Sequence, residues 1–178
     1  MREALGLALR LACALALAGC MGMAATGGGP AATADLVDPT GQRIGTATLT
    51  ESGGQVLVRI EARGLTPGRH GIHIHAVGAC DPPGFTSAGG HYNPLARKHG
   101  LEAPDGPHAG DLPNLEADAA GRARYEARTS LVTVSDGPRS VFDADGSAIV
   151  IHEKEDDQRT DPAGNSGARV ACGVLVRR

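Results

Sequence analysis

Six of the seven histidines in this 178-residue chain fall between His70 and Asp111, in HGIHIHAVGACDPPGFTSAGGHYNPLARKHGLEAPDGPHAGD. The seventh, His152, stands alone in IVIHEKEDD. Imidazole is the commonest nitrogen donor to transition metals. A single histidine is ordinarily a satisfied polar residue at a strand end, but six crowded into one loop-rich stretch that ends in an aspartate point to metal ligation. His73-Ile74-His75 reads as a strand. Its two imidazoles then share one face, about 6.5–7 Å apart, with Ile72 and Ile74 on the core face. Two ligands on one rigid strand suit one metal. His91, His99, His108 and Asp111 form a second group on the loop and at its exit, and three imidazoles with one carboxylate complete a zinc site. His152, with Ile149 and Ile151 on its opposite face, is expected to come to a site from the other side of the domain. These residues supply seven donors. Two four-coordinate sites need about eight, so one histidine using both ring nitrogens closes the count.

The elements that must hold these residues read as strands. Val56, Val58, Ile60 and Ala62 alternate with Leu57, Arg59, Glu61 and Arg63, the pattern of a half-buried strand. Ser52-Gly53-Gly54 signals a hairpin back to Arg43–Glu51, and Thr66-Pro67-Gly68 is a turn. Residues 122–128, 148–152 and 168–176 are further short runs. No stretch has a convincing helical period with caps. Short strands separated by Gly/Pro turns predict an all-β sandwich or Greek-key barrel. The region from His75 to Pro107 is too rich in Gly, Pro and Asp to be strand throughout and reads as a long functional loop. Aromatics are only 2% of the chain and tryptophan is absent. The core must therefore be built from Val, Ile, Leu and Ala. A net charge of −3 and the lack of a basic, aromatic-interleaved stripe give no reason to expect nucleic-acid binding.

The start of the chain reads as an export signal. Residues 1–19 have a basic residue at Arg2 and an apolar run from Leu11 to Gly19, too short to span a bilayer. The run ends Leu17-Ala18-Gly19-Cys20, similar to the bacterial lipoprotein processing box, in which the cysteine is lipidated; ordinary cleavage near Ala24-Ala25 is the alternative. Residues 20–33 read as a flexible tether and residues 34–178 as one domain of about 145 residues, long enough for its own core. The reading is thus an exported protein of the periplasm or cell envelope, meeting a membrane only through lipid on Cys20. Of the four cysteines, Cys13 leaves with the signal. Cys80 and Cys172 are most simply a disulfide in an oxidising compartment, with free thiols or thiolate ligation as alternatives.

GIHIHAVG, GGHYNPLARKHG, GPHAGDLPN, IVIHEKEDD and GNSGARVACGV, in this order, resemble the motifs of the copper/zinc superoxide dismutases, and the resemblance covers nearly all of residues 34–178. It implies an eight-stranded Greek-key β-barrel with a long metal-binding loop and a shorter second loop. It implies that His73, His75, His91 and His152 bind copper, that His91, His99, His108 and Asp111 bind zinc, and that His91 bridges the two. Asp156 matches the carboxylate linking a copper histidine, His73, to a zinc histidine, His99. Without the family it would read as a solvated charge in EKEDD. Arg169 matches the arginine that guides and holds superoxide, and His91 the ligand that delivers a proton, so these two are the implied catalytic residues. His70 matches a structural histidine that is not a ligand.

The implied reaction is dismutation of superoxide to dioxygen and hydrogen peroxide by redox cycling of copper, an antioxidant defence. The family's subunit contacts vary, which leaves monomer or homodimer. The chain departs from the animal enzymes in two ways. Cys80 follows His75 closely, as in bacterial members. The QRTDPAGNSGA segment is also shorter, with Arg159 as a candidate substitute for the missing steering charges. A metal-buffering envelope protein without turnover is the competing reading. It would be favoured by loss of His152 or Arg169, and both are present.

Overall fold

The structure is a computed structural model that describes Gly29 and residues 31–178. The signal segment and Cys20 lie outside the described residues. Ten strands run in chain order: β1 Ala31–Val37, β2 Arg43–Ser52, β3 Gln55–Ala62, β4 Gly68–His70, β5 Ile72–His75, β6 Leu115–Ala117, β7 Ala123–Thr129, β8 Ala148–His152, β9 Arg169–Val174 and β10 Val176–Arg177. The only helical turn among the described residues is a short 3-10 turn at Thr86–Ala88.

All the strand pairings are antiparallel, in the order β4-β6-β7-β3-β2-β1-β9-β8-β5, with β10 beside β1. The two ends of this order are one stretch of chain, because only Gly71 separates β4 from β5. The first half of that stretch pairs with β6 and the second half with β8, and this closes the sheet into a barrel. β9 and β10 are likewise one run interrupted at Leu175. Counting each run once, the ten stretches are the eight strands of the expected barrel. The link from β3 to β4 passes over β7 and β6, and the link from β7 to β8 passes over β6 and the β4–β5 run, which are Greek-key crossings.

The side-chain alternation sets each face. Val56, Val58, Ile60 and Ala62 of β3 point inward against Ala123, Tyr125 and Ala127 of β7. Gly53 and Gly54 both have positive φ, as a two-residue hairpin turn requires, and Ser52 pairs directly with Gln55. β1 begins at Ala31, so residues 31–33 of the expected tether are sheet. Ala32 and Ala34 alternate inward with Leu36 and pack in the core, a run too small in side-chain volume to announce itself as a strand.

The long segment between β5 and β6 and the shorter one between β8 and β9 lie over one side of the barrel, where β5 and β8 are buried along their whole length. Cys80 and Cys172 form a disulfide that ties the long segment to β9 across 92 residues of sequence. By chain entropy such a link stabilises by about 4–5 kcal/mol. Cys172→Ser, in a metal-loaded protein titrated with guanidinium, is therefore expected to lower the unfolding free energy by roughly that amount. A change under about 1 kcal/mol would show that the loop is held by its other contacts alone.

Candidate metal centre

His73 and His75 stand on the outer face of β5, opposite Val150 and Ala148 of β8, while Ile72 and Ile74 enter the core. Their ring centroids are 6.2 Å apart. His152 ends β8, the direct hydrogen-bonded neighbour of β5. It therefore does not arrive from the other side of the domain: alternation on β8 puts it on the same outer face as Ala148 and Val150. The other edge of β5 receives the long loop. Ile74 N donates to Gly110 O at 2.9 Å and Tyr92 N donates to Ile74 O at 2.8 Å, which brings His91 beside His75 and Asp111 beside His73. Gly110 permits this approach, because a Cβ there would lie 2.2 Å from Ile74 O.

Four ring nitrogens in this cluster are buried without a hydrogen-bonding partner: His73 Nδ1, His75 Nε2, His91 Nε2 and His152 Nε2. These four residues offer ligand atoms within 4.8 Å of one another. In three of the rings the second nitrogen is engaged, His73 Nε2 with Asp156 Oδ2 at 2.7 Å, His75 Nδ1 with Gly89 O at 3.0 Å and His152 Nδ1 with Gly167 O at 3.3 Å. The acceptor holds the proton on that side and leaves the unpartnered nitrogen as a lone-pair donor. Buried polar atoms without partners are rare, and four converging imidazole donors fit copper.

The fourth ring, His91, turns its Nδ1 the other way. That atom is 2.8 Å from Asp111 Oδ1 and 3.3 Å from His108 Nδ1. Asp111 Oδ1 is also 3.1 Å from His99 Nδ1 and 3.5 Å from His108 Nδ1. Its Oδ2 is occupied by the backbone N–H of Gly100 and His108. Three Nδ1 atoms thus surround one carboxylate oxygen, a donor set that fits zinc. The second set within 4.8 Å is His73, His91, His99 and Asp111; one nitrogen of His73 faces the first group and the other bonds Asp156, and His108 stands beside this set. Asp156 stands behind both groups, with Oδ2 on His73 and Oδ1 on His99 Nε2 at 3.0 Å.

Sequence reading misses what aims Asp156. Asn114 Nδ2 donates to Asp156 O and Asn114 Oδ1 accepts from Asp156 N, a two-way pin on the backbone. Asn114 lies within GPHAGDLPN, but nothing in its spacing gives it this role. His70 is buried away from both groups, its ring nitrogens on the carbonyls of His152 and Thr66. Arg169 reaches back from β9, donating Nη1 to Phe85 O and Nη2 to Gly89 O, both at 2.6 Å. Gly89 O thus serves both Arg169 and His75. Arg159 is paired with Glu102 and links the second loop to the first.

Burial and neighbouring charge set the protonation states. Burial lowers His73 to about 4 against the pull of Asp156, and lowers His152 to about 3. It also pushes His75 well below its ordinary value, helped by the His91 charge. Burial opposes the charge on His99, but Asp111 and Asp156 outweigh it and raise this group to about 9. Burial opposes ionisation of Asp111 and Asp156 too, but their histidine partners hold both well below the usual carboxylate range. His73, His75 and His152 are thus neutral and ready to ligate, whereas a cation at the second group must displace a proton from His99.

A cleft of about 320 Å³ away from the cluster is lined by Arg43, Glu61, Arg63, Arg122 and Arg124. The histidine cluster itself is nearly closed, which suits a very small substrate. The family described as "Copper/zinc superoxide dismutase (SODC)" matches this chain over residues 43–175. "Superoxide dismutase [Cu-Zn] 1" of Aquifex aeolicus is 47% identical over 80% of this chain and 85% of that protein. "Superoxide dismutase [Cu-Zn]" of Caulobacter vibrioides is 46% identical over 81% and 84%. The crystal structure of a SOD-like protein from Bacillus subtilis superposes with a TM-score of 0.78, at 40% identity over 81% of this chain and 97% of that one. The chain belongs to the copper/zinc superoxide dismutase family. It is an oxidoreductase whose substrate is superoxide and whose cofactors are copper and zinc.

The lowered histidines give the metal-free protein a defined acid response. His73 and His152 refuse protons in the fold that the unfolded chain accepts below about pH 6.5. Stability is then lost as pH falls from that value toward 4. Urea unfolding of the metal-free protein is expected to show a loss of about 3 kcal/mol or more between pH 6.5 and 4.5. A flat profile would mean that the imidazoles are solvated rather than buried.

Proposed function

We propose that His73, His75, His91 and His152 hold the copper, that His91, His99, His108 and Asp111 hold the zinc, and that Arg169 binds the superoxide anion beside the copper. The observation that carries this reading is the set of four unpartnered nitrogens. Copper, when bound, supplies the one-electron redox chemistry; zinc has none and organises the loop. The protein's own residues do the rest. Asp156 fixes the ring orientation of one histidine in each set. His91 faces both sets, with Nε2 toward one and Nδ1 toward the other. Its Nε2 is the atom that can take up a proton and hand it to the reduced oxygen species. Arg169, half-buried and clamped by two carbonyls, presents a positive charge that does not depend on pH. With the whole chain at −3, attraction for an anionic substrate must come from this local charge.

Arg169→Ala is expected to slow dismutation by about tenfold to a hundredfold and to flatten its salt dependence. Copper content by metal analysis should stay at that of the parent, whereas a fall in copper would make Arg169 a structural residue. The parent protein loaded with both metals should turn over near ~10⁸–10⁹ M⁻¹s⁻¹, a ceiling that superoxide dismutases are known to reach. Absence of turnover with both metals bound would turn the reading to metal buffering.

The same proposal places the protein in the cell envelope, tethered by lipid on Cys20, with the described domain outside the cytoplasm. Its supports are the apolar run before Cys20 and the disulfide. A relative from Caenorhabditis elegans, 38% identical, carries the name "Extracellular superoxide dismutase [Cu-Zn]". Cys20→Ser is expected to move the protein from the detergent-extracted membrane fraction to the soluble fraction of the envelope. An unchanged distribution would argue for ordinary cleavage.

A further inference from the structure

Phe85 is a bulky aromatic in the left-handed region, at φ 53 and ψ 27. That conformation is easy for glycine or asparagine and costly for a large side chain. Such strain persists only where the surroundings over-determine it, and it gathers at functional sites. The ring of Phe85 is fully buried. It is the largest side chain in a second small core with Ala88, Ala148, Val150 and Cys172, against which Val37 and Cys80 pack. This core lies beneath the loop that carries Gly89 and His91. The carbonyl of the strained residue is the one that accepts from Arg169 Nη1.

We propose that Phe85 positions Arg169: burial of its ring holds residue 85 left-handed, and that conformation turns the carbonyl onto the guanidinium. The proposal rests on the reading of Arg169 as the anion-binding group. Phe85 is not a ligand, carries no charge and touches no substrate. Its role is to hold one half of a two-carbonyl clamp whose other half, Gly89 O, also fixes His75. A planar guanidinium held at both Nη atoms cannot swing away, so its remaining N–H groups stay aimed.

The test uses the copper- and zinc-loaded full chain and three variants. The rate at which phenylglyoxal modifies Arg169, mapped by mass spectrometry, reports whether the clamp holds. Azide affinity at copper, read from the visible spectrum, reports whether the anion site is aimed. Phe85→Ala loses the ring but keeps the penalty for a left-handed residue, so Arg169 should react about tenfold faster and azide should bind correspondingly more weakly. Phe85→Gly loses the ring and the penalty together and should be intermediate, partly restoring the clamp. Phe85→Leu, a milder truncation that keeps the fold should the others fail, should raise the reactivity by about two- to threefold.

If Phe85 served packing alone, Ala and Gly would behave alike. Thermal stability would then fall with no change in Arg169 reactivity, and that result overturns the proposal. The two readings separate cleanly. If reactivity rises in Phe85→Ala while Arg169→Ala itself leaves azide affinity unchanged, Phe85 still positions Arg169 and the anion-binding role of Arg169 is what fails.

Discussion

Four imidazole nitrogens turned toward one another inside the protein, with nothing to accept from or donate to, are the constraint on which the rest of the structure depends. A buried polar atom without a partner costs about 1–3 kcal/mol. Four of them rival the whole net stability of an ordinary domain, about 5–15 kcal/mol. Under the proposed copper assignment, a cation at their meeting point would convert each deficit into a bond, and metal binding would then become folding free energy. For that to work the lone pairs must be the inward atoms, so each ring has to be held by its other nitrogen. The carbonyls of Gly89 and Gly167 and the carboxylate of Asp156 do this for three of the four. The fourth, His91, is held through its second set of partners.

That arrangement also decides where negative charge can stand. The buried carboxylates, Asp111 and Asp156, lie among or behind the rings and face His91, His99 and His73. The cationic Arg169 lies on the side of His75 and His152, where its charge lowers both groups further after burial has done most of the work. Charges are thus sorted across a cluster only a few ångströms deep. An anion approaching the side of Arg169 meets a fixed positive charge and neutral rings, while the anionic groups are screened by the histidines they orient. On the proposed role of Arg169, this local sorting is how a protein of net charge −3 would attract an anion.

Periodic features are the ones legible in the sequence. The spacing of His73 and His75 in an alternating run places both on one face, and the isoleucines between and beside them place the other face in the core; the structure agrees. The Gly53-Gly54 hairpin is equally local. Relations between distant stretches are not periodic. Nothing in the spacing of His152 says that β8 lies against β5, and nothing in EKEDD marks Asp156 as buried. Only the resemblance to a family supplies that carboxylate. Asn114 and Phe85 carry no signal in the sequence at all. The work of Asn114 is a backbone pin on a residue 42 positions away. The conformation of Phe85 contradicts its residue type, and the burial that compensates comes from strands far along the chain. The start of β1 is equally silent because alanines fill its inward positions, and small side chains in a narrow barrel give little hydrophobic signal.

The long loop raises a separate physical problem, because a segment without a strand ladder still has backbone groups to satisfy. The carboxylates solve it. Asp111 Oδ2 takes the N–H of Gly100 and His108 while its Oδ1 faces the three histidine nitrogens. Asp161 takes His99 N from the second loop. Asp156 Oδ1 takes Gln158 N as well as His99, and Gln158 in turn caps Leu101 and Glu102. Two of the residues that order the loop, Asp111 and Asp156, are thus also the ones whose carboxylates orient the clustered rings. Neutralising Asp111 would weaken two backbone anchors and, under the proposed zinc assignment, a donor to the cation in a single step. Under the proposed zinc assignment, loop order and metal occupancy are coupled through this carboxylate.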